Sequence, residues 1–224
     1  MNTAIRAASS SVFGLAILGL LLFLPAGTLD YWQAWVFIAT AAVTTIPPTI
    51  YLYRINPAAL ERRMHAGPGA EGRTVQKILI TGAFAAFTAL LVFSAYDQRR
   101  GWSRVPGWVS LLGDGLVAIG FGIAMVVIAQ NAYAAATVTV EAGQTLVSSG
   151  LYKHVRHPMY VGNFVMMVGI PLALGSYWGL LFVIPAQAVI VIRILDEETL
   201  LTEQLPGYRE YMQRVRYRLL PYVW

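Results

Sequence analysis

The chain contains no cysteine. Disulfides, thiolate nucleophiles, cysteine-ligated zinc and iron–sulfur clusters are therefore excluded. Charge is also scarce: 12% of residues are Asp, Glu, Lys or Arg, against about a quarter in an ordinary soluble domain. A chain of 224 residues cannot hide that deficit inside one large soluble core. What replaces the charge is apolar, 57% of residues with a mean hydropathy of +0.59. It comes in long blocks and not at amphipathic spacing, the pattern of a helical protein that spans a bilayer. There is no internal repeat and no low-complexity tract.

Six apolar segments stand out, at about 10–25, 31–53, 78–96, 108–130, 158–174 and 176–192. A helix needs about 20 residues to cross ~30 Å of hydrocarbon. The first, fifth and sixth are short by that measure, which predicts little tilt, a partly interfacial position or a locally thin bilayer. The last two meet at Gly175 and predict a tight helical hairpin. The first segment has Arg6 and an apolar run from Val12 to Leu24, as a secretory leader would. However, Leu24-Pro-Ala-Gly27 is a poor cleavage site, so a retained membrane helix is expected. Pro47-Pro48, Pro171 and Pro185 predict kinks. The expected fold is all-α, a polytopic membrane protein of about five to six membrane helices. Residues 1–130 are read as N-terminal membrane helices. Residues 131–224 are read as a catalytic region: a cofactor loop, the helical hairpin and a cytoplasmic tail helix.

Basic residues suggest the orientation. With the N-terminus inside, thirteen of the sixteen Lys and Arg residues fall in cytoplasmic segments, and only Arg99, Arg100 and Arg104 lie outside. Tyr31, Trp32, Trp35, Trp102, Trp108, Tyr177 and Trp178 then all fall at the outer boundary, where amphipathic rings prefer to sit. The net charge of +5 thus reads as topology and attraction to anionic lipid headgroups. A nucleic-acid partner is not expected.

The most informative tract runs from Gln144 to Gly162. His157-Pro158 reads as a helix start, because proline suits the first helical position and drives the preceding residue out of the α region. Free N–H groups and the positive dipole end would then face the cytoplasmic interface, a ready site for a carboxylate or phosphate. Tyr152, His154, Arg156, His157 and Tyr160 surround it; the plain alternative is a basic-aromatic anchor. The second constellation is Arg193-Ile-Leu-Asp-Glu197-Glu198, directly after the sixth segment. Arg193 and Glu197 share a helix face at i, i+4, in the less favourable order for a simple helix pair. Three consecutive acids at a membrane surface repel anionic headgroups and make more sense turned toward a cationic partner. The hairpin would bring both constellations together at one face. His154 and His157 lack a third ligand nearby, so no metal is expected.

These residues resemble the isoprenylcysteine carboxyl methyltransferase family of integral membrane methyltransferases, bacterial branch, with phospholipid N-methyltransferases as more distant relatives. The carrying residues are Gln144-Thr145-Leu146-Val147, Gly150-x-Tyr152, Arg156-His157-Pro158-x-Tyr160-x-Gly162 and Arg193-x-x-x-Glu197-Glu198. Gly207-Tyr-x-x-Tyr211 and Arg218-Leu-Leu-Pro221 complete the set. The resemblance implies S-adenosylmethionine as cofactor. It would lie against Gln144, Thr145, Leu146, Val147, Tyr152, His157, Pro158, Met159 and Tyr160, with Glu197 and Glu198 contributing. It also implies Arg193 as the catalytic residue facing an acceptor carboxylate, which a guanidinium orients through a two-point contact. The expected substrate is a lipophilic or lipid-linked molecule entering from the bilayer of a bacterial inner membrane, with membrane lipids as the other partner. Sterol reductases share the Arg-His-Pro-x-Tyr-x-Gly element but typically carry Asn at the position of Met159 and an acid at that of Asn163. An NADPH-dependent membrane reductase and a non-catalytic membrane scaffold are therefore the alternatives.

Overall fold

The computed structural model describes residues 3–134 and 136–224, which are helical and irregular with no strand among them. Among the described residues eight α-helices follow in order: α1 Thr3–Ala26, α2 Trp32–Ile55, α3 Pro57–Met64, α4 Thr74–Arg100, α5 Gly107–Gln130, α6 Pro158–Ala173, α7 Val183–Gln204 and α8 Tyr208–Arg214. Five helical stretches are long and apolar enough to cross a membrane: Arg6–Ala26, Trp32–Ile55, Thr74–Arg100, Gly107–Gln130 and Trp178–Gln204. Large apolar side chains such as Val12, Val43, Leu112, Ile119 and Ile184 are exposed around the bundle. Apolar surface on that scale suits lipid and not water. The protein is a polytopic helical membrane protein.

Helix lengths correct part of the sequence reading. The first and sixth segments are not short, because α1 begins among polar residues at Thr3 and α7 continues past its apolar part to Gln204. A 3₁₀ stretch, Trp178–Phe182, also leads into α7. Hydropathy ends a segment at its first charges, whereas backbone hydrogen bonding carries the helix on. Only α6 stays short, with 16 residues, or about 24 Å at ~1.5 Å per residue.

One end of the bundle gathers the short turns. Tyr31 Oη donates to Leu174 O at 2.6 Å, and the Tyr177 N–H donates to Ser103 Oγ at 3.0 Å. Buried Asp97 accepts from the Ser103 N–H at 2.9 Å and from the hydroxyls of Ser103 and Ser176. The opposite end carries α3, the loop after it, the long segment between α5 and α6, and the tail.

The predicted hairpin is present but splayed. Gly175 turns the chain with φ +73°, a left-handed value that glycine adopts without a Cβ clash. Beyond it, α6 packs along α5 and α7 packs mainly against α4. Glycines are the reason. A Cβ on Gly120 would lie 2.6 Å from Gly162 O, and one on Gly162 would lie 2.8 Å from Gly120 O. One turn-pair further on, Gly113 and Gly169 approach each other in the same way. Such contacts let two backbones meet where hydrocarbon supplies no hydrophobic drive for association. Replacing Gly162 by Val should force α5 and α6 apart, costing about 1–3 kcal/mol or more. A lower melting temperature in detergent, with loss of monodisperse protein, would register it; a wild-type melt would contradict this packing.

Candidate functional site

Because α6 leans on α5 and α7 on α4, a gap remains between the arms of the hairpin. It forms a cavity of about 450 Å³, within the range of roughly 300–1,000 Å³ usual for small-molecule sites. Its deep part is apolar, walled by Ile80, Phe84 and Phe87 of α4, Phe121 of α5, Met166 of α6 and Ile190 of α7. Phe84 among them is half exposed. The other part is polar and lies at the end of the bundle bearing the long loops.

The polar part collects most of the residues singled out in sequence. Gln144, Thr145, Leu146, Val147, Tyr152, His157, Pro158, Met159, Tyr160, Arg193 and Glu197 all line the cavity. Glu198 does not. Its carboxylate accepts from Arg156 Nε at 2.7 Å and Arg218 Nε at 2.9 Å, and His157 Nε2 lies 3.2 Å away. Backbone bonds run beside it, from the Arg156 N–H to Tyr217 O and from the His157 N–H to Arg218 O. Glu198 therefore clamps the tail to the start of α6. Glu197, one residue earlier and about 100° around the helix, faces the cavity with its side chain 23% exposed, against 6% for Glu198. It accepts from Tyr160 Oη at 2.7 Å, and His157 Nδ1 lies 3.9 Å away.

Arg193 and Glu197 share a face but do not touch directly; Tyr160 stands between them. Arg193 Nε donates to Tyr160 Oη at 3.1 Å, and that hydroxyl donates to Glu197. Arg193 Nη2 donates to Glu71 Oε1 at 2.8 Å and Ala136 O at 3.0 Å, while Nη1 donates to Gln76 Oε1. Among the described residues, four of the five guanidinium N–H groups thus have partners, leaving one on Nη1. The two-point contact expected for a ligand narrows to a single N–H. The helix start narrows likewise: Pro158 has no N–H, and the Tyr160 N–H donates to His157 O at 3.1 Å. Met159 carries the remaining first-turn donor at the cavity wall.

Several lining residues were given no site role in the sequence reading. Arg63 of α3 lines the cavity near Tyr160, and burial pushes its guanidinium below the usual arginine pKa. Tyr208, within the Gly-Tyr-x-x-Tyr element, is buried at the wall with a hydroxyl that no atom of the described residues satisfies. Asn163 Oδ1 is a second such atom. Burial raises the phenol pKa of Tyr152, Tyr208 and Tyr211, and the carboxylates of Glu197 and Glu198 nearby add to it. A raised pKa favours the protonated form, so these phenols remain neutral hydrogen-bonding groups across physiological pH. Tyr152 Oη accepts from Asn131 Nδ2 at 3.1 Å, and Tyr211 Oη donates to Tyr152 O at 2.7 Å, which sets the floor under the 144–147 strip. Gln144 Oε1 accepts the Glu141 N–H at 3.0 Å and folds that strip on itself.

Parts of the chain are similar to known proteins. Residues 108–207 match the model of the phospholipid methyltransferase family. A Delta(14)-sterol reductase of Mus musculus is 33% identical over 91 residues, 39% of this chain and 22% of the reductase, so the chain spans about a fifth of that protein. A cobalt-zinc-cadmium resistance protein of Cupriavidus metallidurans is 28% identical over 153 residues, 66% of this chain and 68% of the relative. The matched family segment contains α5, α6, α7 and the loop carrying Gln144 and Tyr152, which is most of the cavity wall. Residues 108–207 are thus similar to the phospholipid methyltransferase family, that of the isoprenylcysteine carboxyl methyltransferase-like integral membrane methyltransferases.

Proposed function

We propose that the protein moves the methyl group of S-adenosylmethionine to a lipophilic acceptor, a carboxylate, in the bacterial inner membrane. The observation that carries this reading is the two-part cavity, polar at the loop end and apolar between α4 and α7. A water-soluble donor and a membrane-soluble acceptor would each find matching surface and meet where the parts join. The basic residues argue for the loop end facing the cytoplasm, where the donor is. Residues 131–224 supply most of the donor side, with the N-terminal helices contributing the acceptor chamber.

The residues present fit S-adenosylmethionine. Its ammonium group suits Glu197, which keeps an open carboxylate edge, through a charge-assisted hydrogen bond. Polar groups of the nucleoside suit Tyr208 Oη and Asn163 Oδ1, the buried atoms left without protein partners. Apolar Leu146, Val147 and Met159 offer surface to the base. When bound, the donor supplies an activated methyl: the acceptor oxygen forms a C–O bond, the C–S bond breaks, and its electron pair stays on sulfur. An ionised carboxylate needs no general base, so the residues have to position and exclude water. Arg193 orients the acceptor with its remaining N–H, and Tyr160 holds Arg193 and Glu197 at a fixed separation.

A second reading, an NADPH-dependent membrane reductase, draws on the 33% identity to the sterol reductase. Calorimetric titration of the detergent-purified protein with S-adenosylhomocysteine and with NADPH separates them. Saturable binding of S-adenosylhomocysteine is expected. Binding of NADPH alone would overturn the methyltransferase reading, and binding of neither would favour a non-catalytic scaffold.

A further inference from the structure

Glu71 lies in the irregular loop between α3 and α4, outside the family-matched segment, yet its side chain is 1% exposed. Oε1 accepts from Arg193 Nη2 at 2.8 Å, and Oε2 accepts the Val138 N–H at 3.1 Å. Val138 belongs to the loop that roofs the cavity. Burying a carboxylate costs several kcal/mol, so its place needs a reason. Docking of the loop onto α7 is not enough. Arg73 Nη2 already holds Asp196 Oδ1 at 2.7 Å, and Gln76 Nε2 donates to the same carboxylate. Nor does a buried ion pair generally add stability over apolar residues of equal volume. Glu71 holds one guanidinium and one stretch of roof together, beside the direct bond from Arg193 Nη2 to Ala136 O.

We infer that Glu71 is a positioning residue for the proposed transfer. It fixes the direction in which Arg193 presents its remaining N–H to the acceptor, so that the loop before α4 sets the geometry of a site built mainly by later helices. The inference rests on the methyltransferase reading. With Glu71 in place, Arg193 cannot swing toward solvent or collapse onto Glu197, two acceptors otherwise within reach of its long side chain. Its remaining N–H keeps one direction, and the roof closes in register with it.

The test uses the full chain in detergent, tritiated S-adenosylmethionine with a total lipid extract as pooled acceptor, and calorimetry with S-adenosylhomocysteine. Wild type is measured first. If it neither binds nor transfers, the methyltransferase reading fails and this inference falls with it, before any variant is examined. Given an active wild type, Glu71→Gln, Arg193→Gln and the double variant follow. Glu71→Gln should transfer at least tenfold more slowly per folded molecule, while its Kd for S-adenosylhomocysteine moves less than threefold. The double variant, which removes both buried charges and so guards against misfolding, should be no slower than Arg193→Gln alone. Unchanged transfer in Glu71→Gln would overturn the inference. So would losses that multiply in the double variant, since Glu71 would then act independently of Arg193.

Discussion

Glu197→Gln is expected to raise the Kd for S-adenosylhomocysteine by roughly ten- to a hundredfold and leave the fold intact. The amide keeps the shape and can still accept from Tyr160, but it loses the charge proposed to meet the ligand's ammonium. A hydrogen bond to a charged partner contributes about 1.5–3 kcal/mol, and each ~1.4 kcal/mol is tenfold in affinity. The neighbouring Glu198→Gln should behave in the opposite way. Glu198 faces Arg156, Arg218 and His157 and not the cavity. Its loss leaves buried positive charge uncompensated, which costs about 3–5 kcal/mol. The tail should loosen, read as a lower melting temperature and faster proteolysis near residue 215. Calorimetry and a thermal melt on both variants decide the matter. If Glu197→Gln binds normally while Glu198→Gln loses only the ligand, the two roles have been exchanged.

Arg193→Ala should slow methyl transfer by about a hundredfold, the scale of a modest misplacement of a reacting group. Binding of S-adenosylhomocysteine should weaken far less, because Tyr160 can still reach Glu197. The variant should also melt earlier, since Glu71 and Gln76 lose a buried partner. Rates are therefore to be normalised to folded protein. Equal loss of ligand binding and transfer would assign Arg193 to the donor and not to the acceptor.

Much of the fold was legible because a bilayer imposes strong rules. Scarce charge and block-wise apolarity specified a polytopic helical protein, and all the apolar segments but the first and last became helices within about four residues at each end. The misjudged lengths of α1 and α7 arose where hydropathy and hydrogen bonding part company: Arg193 to Gln204 is polar, yet the helix runs through it. The glycines at 113, 120, 162 and 169 did carry a readable signal. Both pairs repeat at seven residues, two turns of a helix, and so lie on one face of each helix. Read that way, they announce that α6 approaches α5 closely, and hence that the hairpin must open toward α7.

The candidate site was legible unevenly, and the pair Glu197-Glu198 shows why. Adjacent positions on a helix differ by about 100°, so one carboxylate faces the cavity and the other the tail. Which is which depends on where the tail returns, a long-range fact with no local signature. Glu71 is the extreme case. A single acid in a glycine-rich loop reads as solvated, and nothing near it in sequence points to a partner in α7.

By itself, the sequence determined the helical class, the near positions of the spans and the meeting of the His157 and Arg193 tracts at one end. Those follow from hydropathy, helix-start chemistry and a short turn, all of them local. The tertiary structure alone decided that the hairpin splays into a cavity. It also decided that Tyr160 separates Arg193 from Glu197, and that Arg193 arrives with all but one of its N–H groups taken. Those depend on backbone approach and on side chains from distant segments competing for the same donors, which is settled only when the helices pack.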